Sequence, residues 1–499
     1  MGWKFSVVNL AGSSLLSVCL LSSACSGRAE LEGAAGHAGL GGDSGSAAGG
    51  AAHGASAGQG AGAGEPSGTG GTSRGGAGPE TAGSGDDAAG ASAAAGAADA
   101  GGATDVAGAP GADASAAGAS GAAESDAGAS GASGAAGADT SGEPPGDCAP
   151  SASGPAHWAP AASMAQPRGE HSATLLKNGK VLVVGGFTGN VSVAKDLASA
   201  ELYDPCADTW TPAGELSTAR NDPSAVLLAD GRVLVVGGIL NGWSVETAEL
   251  YDPSSNTWSL TSAPPGPGVA VALDNGRVLL IGSDVGDNTV ALYDAATSIW
   301  SSTGHNAHPR ISFSTTTLAN GNVLISGGFS TEPYTPAVLE AEQYDPFFGL
   351  WSSAGMLSRM RSSHAPVLLR SGRVLISGGY PQAPSSTPTA SSEIYDPISN
   401  TWSDGEDLVT ARWIHTTTLL PDGRVLVVGG SSSSGANSAL TSAELYDEAS
   451  GKFSTAASLS VPRWSHTATP LSHGRVLVIG GEDGTSFLNS VEIYTPDAL

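Results

Sequence analysis

The chain has 499 residues, 73 of them Gly, with 5% aromatic residues and a formal net charge of −27. A surface this acidic repels phosphate backbones and anionic headgroups, which excludes general nucleic-acid binding and electrostatic docking on membranes. Length alone suggests about two to four domains, although an internal repeat can fold several hundred residues as one.

Residues 1–25 read as an export signal: Lys4 precedes an apolar stretch from Phe5 to Leu21, and the small-residue run Ser22-Ser23-Ala24-Cys25 follows. Cys25 after a small residue resembles the lipobox of bacterial lipoproteins, and the resemblance implies lipidation of its thiol. Ser22 stands where that family usually has Leu, so cleavage without lipidation is the alternative. Ser26, in place of the Asp that often marks inner-membrane retention, implies by the same resemblance an outer-membrane or cell-surface lipoprotein. Without lipidation the chain is secreted.

Residues 26–147 are almost wholly Gly, Ala and Ser, with fifteen Asp or Glu against Arg28 and Arg74. Such a segment buries too little apolar surface to offset its ordering entropy, and reads as a disordered spacer. As a Gly-rich coil it spans roughly 60 Å, a tether that holds a domain away from a surface.

From residue 148 to 499 the texture changes. Glycine doublets follow β-branched runs at Gly185-Gly186, Gly237-Gly238, Gly327-Gly328, Gly378-Gly379, Gly429-Gly430 and Gly480-Gly481, with Gly282-Ser283 as a degenerate copy. Each unit carries a downstream Tyr (Tyr203, Tyr251, Tyr293, Tyr344, Tyr395, Tyr446, Tyr494), usually within Glu-x-Tyr-Asp-Pro. In the first six an aromatic follows seven residues later, from Trp210 to Phe453. Glycine doublet, Tyr and Trp at this period resemble the kelch repeat, whose unit is one four-stranded blade. The resemblance implies an all-β, seven-bladed kelch β-propeller.

Within each blade, continuous apolar runs such as Val233-Leu234-Val235-Val236 suit an inner strand covered on both faces. Pairs such as Asn178-Gly179 and Asp230-Gly231 predict type I′ hairpins between the first two strands. The last unit stops after Tyr494, whereas Trp158 stands alone before the first, ten residues ahead of Arg168, as Trp210 is ahead of Arg220. The strand around Trp158 is therefore expected to complete blade seven.

Cys148 and Cys206 both fall near that junction, and in an oxidising compartment they are expected to pair; two free thiols or a metal site are the alternatives. A second pattern, Arg-x-x-His, opens the first strand of several blades: Arg168 with His171, Arg361 with His364, Arg412 with His415, Arg463 with His466. Arg220 and Arg310 lack the His. On one reading these residues ring the upper face as cations and donors for an anionic or sugar ligand, with Trp413 and Trp464 as stacking platforms. On the other they are repeat residues that bond neighbouring backbone.

Enzymes share this scaffold. Copper-radical galactose oxidases resemble it and need Tyr and His ligands with a Tyr crosslinked to Cys, whereas only Tyr334 and Tyr380 lie outside the repeat positions here. A sialic-acid mutarotase-like enzyme, built on Arg clamps, is a closer rival. The sequence favours a monomeric cell-surface or secreted module that recognises a protein or glycan through its upper-face loops. No catalytic residue, metal or cofactor is expected, and membrane contact is expected only through the N-terminal lipid.

Overall fold

A computed structural model describes residues 154–191, 193–284, 288–330, 338–381, 387–435 and 438–497, together with the two-residue strand Ser133–Gly134. The protein is an all-β propeller of seven four-stranded blades. Blade one runs Ser172–Leu175, Val181–Val184, Ser199–Asp204 and Thr209–Glu215, each strand antiparallel to the last. Blades two to six repeat this pattern. Among the described residues no helix is long and apolar enough to cross a membrane.

The apolar run of the second strand is fully buried in every blade, as in Val233–Val236, because adjacent blades cover both its faces. The Asn-Gly and Asp-Gly turns that precede these strands are not type I′, whereas in blade seven His473 and Gly474 both carry positive φ. Gly179 has φ 78°, but Asn178 stays out of the left-handed region, and Leu176 closes the turn by accepting from Gly179 and donating to Lys180. Only the glycine carries the positive φ, giving a bulged turn. The Asn or Asp instead accepts the amide two residues on, as Asn178 does from Lys180 at 3.1 Å and Asp230 from Arg232 at 3.0 Å.

Tyr and Trp of the two outer strands lie directly opposite each other, as in Tyr203 with Trp210 at 5.0 Å between ring centroids. Each indole Nε1 then donates to a carbonyl of the preceding blade, for example Trp210 to Ala162 at 2.7 Å and Trp402 to Ala354 at 2.8 Å. These bonds fasten each blade to its neighbour except blade six, where Phe453 stands in place of the Trp.

Blade seven takes its outermost strand from His157–Ala161, which pairs antiparallel with Val491–Thr495 and sets Trp158 opposite Tyr494. Trp158 Nε1 reaches Ala457 O at 2.8 Å, the same staple made by the far end of the chain. On the inner edge of blade two, Ser133–Gly134 pairs in parallel with Ala225 and Val226. Apart from that pair, the export signal, Cys25, the rest of the spacer and Cys148 lie outside the described residues.

Candidate functional site

The six arginines expected around the upper face are inside the blades, each with no more than 1% of its surface exposed. Nη2 of each meets a glutamate on the third strand of the same blade: Arg168 with Glu201 at 2.7 Å, Arg220 with Glu249 at 3.0 Å, Arg310 with Glu342, Arg361 with Glu393 at 2.8 Å, Arg412 with Glu444 at 2.7 Å and Arg463 with Glu492 at 2.8 Å. Nη1 donates to the first glycine carbonyl of the doublet, as Arg412 does to Gly429 at 2.7 Å. The other carboxylate oxygen accepts a backbone amide, Val409 N in the case of Glu444 at 2.7 Å. Both Nη groups of each guanidinium are occupied within the fold, and Nε of Arg168, Arg361 and Arg463 is buried without a partner among the described residues, so none faces a ligand, which corrects their assignment to a ligand-facing ring. Blade three has neither partner, with Gly268 in the place of the Arg and Ala291 in the place of the Glu.

The four histidines are also internal, 1–5% exposed, and each Nε2 lies against a hydroxyl of the preceding blade. His171 meets Thr467 at 3.0 Å, His364 meets Ser326 at 3.0 Å, His415 meets Ser377 at 3.2 Å and His466 meets Thr416 at 3.0 Å. Burial, with the neighbouring arginine adding to it, drives His171 and His364 down to about 3, and His415 and His466 well below their ordinary value for the same main reasons. They are blade-to-blade packing groups, not ligand donors. Their folded pKa values are depressed, so their contribution to stability is complete above about pH 6.5 and is lost as pH falls toward 3. Each neutral imidazole steepens the decline by up to about 1.4 kcal/mol per pH unit. Melting temperature is expected to fall steadily from pH 6 to pH 4, and a His364→Gln, His415→Gln double variant is expected to flatten that slope; an unchanged slope contradicts the assignment.

The upper mouth of the channel is built from what surrounds these groups. Two residues past each arginine, Glu170, Asp222, Ser312, Ser363, Ile414 and Ser465 all adopt φ of 46–54°. Their backbones bond from blade to blade: Asp222 N to Glu170 O at 2.7 Å, Glu170 N to Ser465 O at 3.2 Å, Ser363 N to Ser312 O at 3.1 Å and Ile414 N to Ser363 O at 3.0 Å. This fixes the residues on either side. Trp413 is 1% exposed, held between Tyr380 (4.9 Å) and Trp464 (6.2 Å, planes at 27°), so it supports the surface without presenting a face. Trp464 is half-buried, with one side stacked on Trp413. Sequence reasoning missed Glu482, which pairs opposite Trp464; Phe487, stacked on Phe187 at 5.9 Å; and Trp243, 78% exposed at the tip of the blade-two hairpin. Glu482 is 8% exposed, and burial, with Asp483 adding to it, raises its carboxyl to about 7.

Kelch motif models match residues 170–217, 220–265 and 463–498. Blades one, two and seven thus carry kelch motifs. A kelch-repeat relative, the F-box/kelch-repeat protein SKIP30 of Arabidopsis thaliana, is 38% identical over 16% of this chain and 21% of its own. A galactose oxidase of Gibberella zeae is 25% identical over 51% of this chain and 41% of its own. The chain thus spans between a fifth and about two fifths of the length of these relatives. In fold, the propeller is similar to a fungal alcohol oxidase of the AA5 family, solved in complex with copper, with a TM-score of 0.57 and 18% identity over 68% of this chain and 76% of that one.

The described residues do not fit a copper centre of the kind those oxidases carry. Among them no group of three or more His, Cys, Asp or Glu converges. The histidine rings are closed between blades, and the Tyr380 ring packs on Trp413. Cys206 lies in the lower-face turn between the outer strands of blade one, its amide bonded to Asp204 at 3.0 Å, and Tyr334 lies outside the described residues.

Proposed function

We propose that the propeller is a binding module that takes a glycan or a protein at its upper mouth. The carrying observation is the half-exposed Trp464, backed by buried Trp413 and flanked by Glu482 on a backbone held rigid from blade to blade. An aromatic platform with one nearby polar group, on a fixed frame, is the make-up of a recognition site. Anionic ligands are disfavoured, because the six arginines are internal and the mouth carries Glu170, Asp222 and Glu482. The same burial weakens a mutarotase-like reading that relies on free arginine clamps. A glycan array probed with the full chain tests the proposal, with ligands retained in the presence of chelator. The similarity to galactose oxidase favours a second reading, an alcohol oxidase, and copper-dependent peroxide release from a primary alcohol would replace the first with it.

The same proposal places the module outside the cell, lifted from the membrane by residues 26–147 and anchored through a lipid on Cys25. Cys25→Ser is expected to move the protein from the membrane to the soluble fraction, and an unchanged partition removes the anchor. Pairing of Cys148 with Cys206 belongs to that compartment. Cys206→Ser is expected to lower stability by about 2–4 kcal/mol under oxidising conditions, a difference that vanishes in reductant; equal melting throughout excludes the bond.

A further inference from the structure

We propose that Glu482 and Trp464 form a subsite for the ammonium group of an aminated glycan, the sugar ring stacking on the indole and the charge meeting the carboxylate. This rests on the upper-mouth binding role proposed above. Residues directly opposite in an antiparallel pair project to the same side, and Glu482 and Trp464 are bonded in both directions, N–H to O at 2.9 and 3.0 Å. On its other side Glu482 is bridged to Phe487, whose ring lies against Phe187. The carboxylate therefore sits in an aromatic frame.

Among the described residues nothing neutralises it. Arg463, its neighbour across the bridge, is committed to Glu492 and to Gly480 O, and among the described residues Glu482 has no side-chain hydrogen bond or ion pair. The equivalent positions in other blades hold Phe187, Ile239, Phe329, Tyr380 and Ser431, and Asp284 in blade three, so a carboxylate is not a repeat requirement here and its pairing opposite a tryptophan is particular to blade seven. A carboxyl group that is nine-tenths buried with no partner is a standing cost, which an incoming cation removes. Aromatic faces attract that same cation, and a chain of net charge −27 concentrates it. The Trp413–Trp464 stack adds a flat, backed platform suited to the C–H face of a pyranose.

Calorimetric titration of the full chain with the tetramer of glucosamine, the tetramer of N-acetylglucosamine and tetralysine tests this. The aminated sugar is expected to bind about tenfold or more tighter than the acetylated one, as one charge-assisted bond provides. Glu482→Gln is expected to abolish that preference with cooperative melting retained, and Trp464→Ala to weaken both sugars. Equal affinity of the two sugars overturns the subsite; if both still depend on Trp464, the glycan-binding role itself stands. Tetralysine binding as tightly with the same Glu482 dependence overturns the glycan assignment, and no binding of either sugar overturns the inference outright.

Discussion

Deleting residues 148–164 is expected to produce a chain that aggregates or melts far below the intact protein. The deletion removes His157–Ala161, and with it all five paired positions along Val491–Thr495. That strand then presents an open edge ready to pair with another molecule. The packing of Trp158 on Tyr494 at 5.2 Å and the buried Met164 are lost as well. Loss of the indole alone is worth about 3–5 kcal/mol. Among the described residues, deleting residues 26–145 takes only Ser133–Gly134 from the propeller, and it is expected to shift melting by no more than a few degrees. Size-exclusion chromatography and thermal melting of the two deletions decide the matter. An unaltered monomer from the first deletion contradicts the closure.

Breaking one buried ion pair is expected to cost about 3–5 kcal/mol, because the surviving charge has no water to turn to. Arg412→Met strands Glu444 at 1% exposure, and Glu444→Gln strands Arg412. Replacing both, as Arg412→Met with Glu444→Leu, is expected to recover much of the loss, since well-packed apolar groups can replace a buried pair. Blade three is a natural instance of that exchange, with Gly268 and Ala291 in the two places. Urea unfolding of the single and double variants gives the coupling. Strictly additive losses contradict a pairwise role and return Arg412 to the pool of ligand-binding candidates.

Much of this fold was legible in the chain because its information repeats. The glycine doublet, Tyr and Trp recur in register, and the lone Trp158 marks where the closing strand comes from. The hairpin type was misjudged because Asn178-Gly179 satisfies two turn geometries, and only the backbone φ of Asn178 separates them. The arginines left two readings open, a ligand-facing ring and repeat residues bonded within the fold, and the partners that separate them stand in the sequence. Every blade with the Arg carries Glu two residues before its Tyr, and the blade without it has Ala291 there. That joint presence and absence is the signal of an internal pair. Glu482 left no such trace, since a single carboxylate in one loop is ordinary until its burial without an internal cationic partner among the described residues is seen.

The most direct test of the binding role compares wild type, Trp464→Ala and Ile398→Ser on one glycan array, with thermal melting alongside. Ile398 is 95% exposed on the lower-face turn of blade five, so its change serves as the control. Ligands retained by wild type and by Ile398→Ser, and lost by Trp464→Ala with its cooperative unfolding intact, are the predicted result. Equal retention by Trp464→Ala, or loss in Ile398→Ser, contradicts an upper-mouth site.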